Sequence, residues 1–162
     1  MDTSVIDPIE ILISGFRSQE KEHRARCMND IVQYGKEAVP LLIDQLQDED
    51  WKVRYRAIEA LGKIQSVDAV PELILTCSDE KDHVRYMAAK ALGLIQSQKA
   101  VPILIQLLHD KHPYTRGISS EALAAIQDPR GKKPLEMALI EEKDPVVKER
   151  ISKSLISLNK KE

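Results

Sequence analysis

At 162 residues, with 43% hydrophobic and 31% charged residues, the chain is long enough to bury a core as one domain and too apolar to be disordered. Its 24 basic and 26 acidic side chains leave a formal charge of −2, which excludes a global attraction to nucleic-acid phosphates. No segment approaches the about 18 apolar residues of a membrane span, and Met1 to Pro8, with Asp2 and Asp7, lacks the basic and then apolar run of a secretion signal; the cytoplasm is the expected location.

The first predicted helix opens at Asp7, Pro8 and Glu10, a capping box with Asp in the Ser/Thr position, and carries Ile9, Leu12, Ile13 and Phe16 on one face. Three longer units follow: AVPLLIDQLQDEDWKVRYRAIEALGKI from Ala38, AVPELILTCSDEKDHVRYMAAKALGLI from Ala69 and AVPILIQLLHDKHPYTRGISSEALAAI from Ala100. Their spacing is 31 residues both times. Within each unit apolar residues recur at i, i+3, i+4 and i+7 twice over, so each predicts two helices. Pro40, Pro71 and Pro102 fall in the first turn of the first helix, where a missing N–H is harmless. Turn residues at 48–50, 79–82 and 110–113 separate the two helices, and Asp144-Pro145 reads as an N-cap and first-turn proline. Register extends upstream, with Arg24, Ile31 and Tyr34 matching Arg54, Leu61 and Ile64, and downstream, with Leu135, Leu139, Val147, Lys148, Leu155 and Leu158 continuing the pattern after one extra loop residue.

The expectation is a single domain of five helical hairpins, at about 8–37, 38–68, 69–99, 100–130 and 131–160. One hairpin cannot shelter its own apolar faces, and a fixed period near 30 residues is the mark of units that shelter one another by stacking. Cys27 and Cys77 lie on apolar stripes of different units, as small core residues in a reducing compartment do, and not as a disulfide framework.

The series Asp48, Val53-Arg54, Ala57, Ala60-Leu61-Gly62, repeated as Asp79, Val84-Arg85, Ala88, Ala91-Leu92-Gly93, resembles the short HEAT-like repeat of the phycobilisome lyase family. The resemblance covers nearly the whole chain, is closest in the second and third units, and loosens in the fourth at Thr115-Arg116, Ser119 and Ala122-Leu123-Ala124. It implies an all-α, right-handed α-α superhelix of the HEAT/ARM type with the second helices lining the concave side. Asp48, Arg54, Asp79, Arg85, Asp110 and Arg116 are then expected to form a structural ladder along the turns, flanked by Arg24 and Lys148. Gly62 and Gly93 are expected to admit a neighbouring backbone or to end a helix.

The same superfamily includes bilin lyases and a di-iron hydroxylase, so a lyase-like or metal-dependent enzyme is an alternative. The hydroxylase-like members carry His-Glu pairs, and this sequence contains none. His23, His83, His109 and His112 remain, of which His109 and His112 with Asp110 are the only compact set, crowded into a turn without a second carboxylate. Both cysteines lie on core stripes, and the six glycines form no phosphate loop. The reading is therefore a non-enzyme with no catalytic residue, metal or cofactor assigned.

If Val53, Ala57, Ala60, Leu61 and Ile64 face the core, the helical turn of about 100° per residue sends positions 52, 55, 56, 59 and 63 outward. Copied along the array, this register places Arg26, Asn29, Lys52, Tyr55, Arg56, Glu59, Lys63, His83, Tyr86, Met87, Lys90, Leu94, Tyr114, Ile118, Glu121, Glu149, Arg150 and Lys153 on the concave face. Tyr, Met and Arg anchor protein interfaces, so Tyr55, Arg56, Tyr86, Met87, Tyr114 and Ile118 are the expected contacts. Basic Arg56, Lys63, Lys90, Arg150 and Lys153 suggest a protein or acidic peptide held by a scaffold; a nucleic-acid backbone is the less favoured alternative. Val5, Ile6 and Ile11 offer a route to a homodimer through the first helix, or to internal packing.

Overall fold

The computed structural model describes residues 5–160, so Asp2 of the leading segment lies outside the described residues. Among the described residues ten α-helices pair in chain order: α1 (Pro8–Ser14) with α2 (Lys21–Gln33), α3 (Val39–Asp44) with α4 (Trp51–Ile64), α5 (Val70–Thr76) with α6 (Asp82–Ile95), α7 (Val101–Leu107) with α8 (Pro113–Ile126), and α9 (Lys132–Glu141) with α10 (Pro145–Asn159). No strand occurs among the described residues. The first helix of each hairpin is short and runs into or out of a 3-10 turn, while the second is 13 to 15 residues long.

Local chemistry sets these boundaries. Asp7 caps α1 by accepting from the Ile9 N–H at 2.8 Å, and no return bond from Glu10 occurs among the described residues, so half of the expected capping box forms. Asp50 caps α4 through Lys52 N–H at 2.9 Å, and Asp144 caps α10 through the N–H groups of Val146 and Val147. Pro40, Pro71 and Pro102 stand second in α3, α5 and α7, where no intrahelical bond is forfeited.

The helices form a solenoid. Each second helix lies against the next, α2 on α4, α4 on α6, α6 on α8 and α8 on α10, while the first helices touch their counterparts more loosely. Elements packed more tightly on one side than the other must curve, and the second helices take the inner side. Glycine permits that closeness: a Cβ on Gly62 would stand 3.1 Å from Ala91 Cα, and one on Gly93 would stand 2.9 Å from Ala122 Cα. Between the two layers runs a continuous core in which Phe16, Ile31, Leu42, Leu61, Leu73, Leu92, Leu104, Leu123, Leu135 and Ile151 are fully buried. Cys27 and Cys77 are buried and unpaired, and burial pushes the Cys77 thiol up to about 12. None of the described helices is long and apolar enough to cross a membrane.

Candidate functional site

The interhelical turns carry a repeated rung. Arg54 donates from Nε and Nη2 to the two carboxylate oxygens of Asp79, at 2.9 and 3.0 Å, and from Nη1 to the carbonyls of Asp48 and Glu49 in its own turn. Arg85 repeats this on Asp110 at 2.7 and 3.0 Å, and Arg116 on Glu142 at 2.8 and 3.0 Å. Each guanidinium thus closes its own turn and clamps the next. The carboxylate in turn shapes its loop, Asp79 accepting from Lys81 N–H and Asp110 from His112 N–H, both at 2.8 Å. Partial burial opposes ionisation of Asp110, but the bonds from Arg85 and from the His112 backbone outweigh it and hold the carboxyl below its ordinary range. At the N-terminal end Arg24 keeps, among the described residues, the bonds within its own turn, to the Ser18 and Gln19 carbonyls, and Arg17 takes Asp48.

A second rung lies at the far ends of α4 and α6. Gln65 and Gln96 end these helices in the left-handed conformation, at φ of 57° and 58°, and each donates from Nε2 to a carbonyl of the following second helix, Gln65 to Leu94 at 3.0 Å and Gln96 to Ala125 at 3.1 Å. Those carbonyls belong to the last turn of α6 and α8, where no intrahelical donor exists.

On the inner face, Tyr55 and Tyr86 are half-buried and Tyr114 is exposed. Together with Asp82, His83, His112 and Arg150 they line a cleft of about 290 Å³. Its mouth is a connected cluster: the Asp82 carboxylate meets His83 Nδ1 at 3.1 Å and His112 Nε2 at 3.0 Å, His83 packs on Trp51 with ring centroids 5.0 Å apart, and His112 packs on Tyr114 at 5.4 Å. Burial opposes ionisation of Asp82, but hydrogen bonds from His83 and the charges of both imidazoles hold its carboxyl below the ordinary range. Burial, with the Glu59 carboxylate nearby, pushes the Tyr55 phenol up, so it remains a neutral hydroxyl at physiological pH. Trp51 and Asp82 lie one residue before the register that begins at position 52, and His112 lies two before its equivalent, at the N-cap of α8, so the periodic pattern does not place them on the inner face.

Two expected contacts are corrected. Met87 and Ile118 are only 4% and 7% exposed and belong to the core. They share a register position with Arg56 and Arg150, whose side chains reach back onto the preceding repeat, Arg56 Nη1 donating to the Phe16 carbonyl at 2.7 Å and Arg150 to Glu121. An apolar side chain pointing the same way is closed under the preceding second helix. The basic residues are also less available than their count implied. Lys63 pairs with Glu59 at 3.2 Å, Lys153 with Glu149 at 2.8 Å, and Arg150 with Glu121 through Nε and Nη2 at 2.8 and 2.9 Å. Lys90 is exposed and has no carboxylate partner among the described residues. Val5, Ile6 and Ile11 are exposed. Among the described residues no group of three or more His, Cys, Asp or Glu is arranged to hold a metal ion.

Comparison with curated protein sequences gives no match. Among solved structures, a chain of the complex of CpcE and CpcF of phycocyanin lyase from Nostoc sp. PCC7120 is similar at 26% identity and a TM-score of 0.79, over 90% of this chain and 96% of that one. A designed armadillo repeat protein in complex with the peptide (KR)4 is similar at 18% identity and a TM-score of 0.67, over 93% and 82%. Human deoxyhypusine hydroxylase is similar at 24% identity and a TM-score of 0.67, over 95% of this chain and 64% of that enzyme. The enzymes among these relatives do not transfer an activity, and the likeness to the last two is one of fold. Models of HEAT repeats match residues 9–82 and 70–156, nearly the whole length of the solenoid, and the chain belongs to the HEAT repeat family.

Proposed function

We propose that this chain is an interaction scaffold that holds a segment of a partner protein on the inner face of its second helices. The observation that carries the reading is the cleft framed by Tyr55, Tyr86 and Tyr114. Tyrosine covers a large apolar area at small entropic cost and keeps a polar tip, which is why it anchors interfaces. Repeat folds of this type are commonly protein-binding, and the Nostoc relative is itself one half of a two-protein complex, which supports a protein as the occupant.

The pairing of Lys63, Arg150 and Lys153 within the face moves the weight of recognition from charge to aromatic contact. Preference for an acidic partner rests on Lys90, with Arg56 engaged on Phe16. The test is affinity capture from native extract with the native chain and with a Tyr55→Ala, Tyr86→Ala, Tyr114→Ala variant, followed by mass spectrometry. Proteins retained by the first and lost from the second, with helicity unchanged by circular dichroism, are the expected result; an identical set of captured proteins would refute the face.

A further inference from the structure

The tyrosine row of the inner face spans two repeats and then ends. Tyr55 and Tyr86 are 31 residues apart, and the next position in that register is Gly117. The gap is filled from the following repeat. Arg150 lies across the glycine, so that a Cβ on Gly117 would stand 2.5 Å from Arg150 Nη1 and 2.8 Å from its Cζ. Glu121, on the same helix as Gly117, holds the guanidinium by Nε and Nη2. One face of the group therefore rests on Gly117, one edge is taken by a carboxylate, and the other face is left to the cleft that Arg150 lines with Tyr86 and Tyr114.

How the guanidinium is held decides what it can recognise. An unencumbered arginine grips a carboxylate or phosphate by its two-donor edge. Here the Nε–Nη2 edge is occupied by Glu121, which leaves an anionic group only the Nη1–Nη2 end. The open face is the surface on which a planar aromatic ring stacks, through dispersion and the attraction of a cation for the ring quadrupole. At about 290 Å³ the cleft is at the lower end of ligand pockets, which run from roughly 300 to 1,000 Å³, and so suits one side chain better than a whole small molecule. The geometry points to Arg150, laid flat on Gly117, as the receptor for a single aromatic side chain of the partner segment, stacked on the guanidinium between Tyr86 and Tyr114. This assignment rests on the proposed function of the same cleft, and names the chemistry of what enters it.

Gly117→Ala is the informative variant. It retains every charge, displaces only the movable end of Arg150, and adds a better helix former, so it leaves thermal stability undiminished while lifting the guanidinium from its seat. The experiment pans a random dodecapeptide phage library on the full chain and measures the enriched sequences as synthetic peptides. Enriched peptides are expected to share one Phe, Tyr or Trp, and changing that residue to Leu to weaken binding about tenfold. Gly117→Ala and Arg150→Met are expected to weaken it by a similar factor. Peptides that share an acidic or aliphatic residue in its place, peptides that bind the two variants as well as the native chain, or a library that does not enrich, would overturn the assignment. Should binding depend on Tyr55, Tyr86 and Tyr114 but not on Arg150 or Gly117, the aromatic receptor falls and the inner-face reading stands. Binding that survives loss of all three tyrosines removes both.

Discussion

Along the turns one rung recurs three times, Arg54 to Asp79, Arg85 to Asp110 and Arg116 to Glu142, with nearly the same bond lengths. Along the inner face, register positions change chemistry from repeat to repeat: Lys52, His83 and Tyr114 in one row, Tyr55, Tyr86 and Gly117 in the next. The first strip answers a demand common to every junction, the second a demand on one surface. The same guanidinium–carboxylate bond makes the contrast sharp, since it joins buried partners in Arg85–Asp110 and lies in a more open site in Arg150–Glu121, where the glutamate side chain is 46% exposed.

The largest expected effect breaks a turn rung. Arg85→Met leaves Asp110 buried without its partner and is expected to lower stability by about 3 kcal/mol in urea denaturation, whereas Arg150→Met, at a solvent-screened pair, costs under about 1 kcal/mol. Equal losses would erase the distinction between the strips. Acid gives the same contrast a sign. Asp110 is lowered by its bonds despite burial, and Glu142 chiefly by its bond from Arg116. Their contribution is complete above the ordinary carboxylate range near pH 4, and is lost as pH falls through the lower folded values. Arg85→Met should therefore flatten the acid limb of a stability–pH curve, and an unchanged limb would count against the rung. Next in size is Gly93→Ala, whose Cβ would press on Ala122 backbone and is expected to cost about 2 kcal/mol, against a neutral or stabilising Gly117→Ala.

Periodicity made the solenoid legible. The 31-residue spacing, the prolines of α3, α5 and α7 and the alternation of Asp and Arg carry the hairpins and point to the partners of the turn rungs. The inner face is less legible, for a physical reason. A 100° register separates core from surface on an isolated helix, but Met87 and Ile118 are covered by the preceding repeat, and that depends on the rotation between repeats. Pairing of Lys63 with Glu59 and of Lys153 with Glu149 was legible, as Glu and Lys four residues apart on one helix. Gln65 and Gln96 also recur at 31 residues, yet glutamine has no propensity that announces a left-handed helix end.

Two smaller effects test how strictly the repeat is kept. Thr115 stands where Val53 and Val84 stand in earlier repeats, and its hydroxyl is fully buried with no hydrogen-bond partner among the described residues. Thr115→Val keeps the shape, removes the desolvated group, and is expected to raise stability by about 1 kcal/mol. The smallest effect is at Gln96, where two terms oppose. Gln96→Gly relieves the left-handed backbone but gives up the bond to Ala125 and a more restricted unfolded chain, so a change below about 0.5 kcal/mol is expected; Gln96→Ala keeps the backbone strain, loses the bond, and should cost about 1 kcal/mol. If alanine and glycine prove equivalent in thermal unfolding, the left-handed conformation contributes nothing. If glycine is as costly as alanine should be, the bond between neighbouring helix ends is the reason glutamine stands at this position.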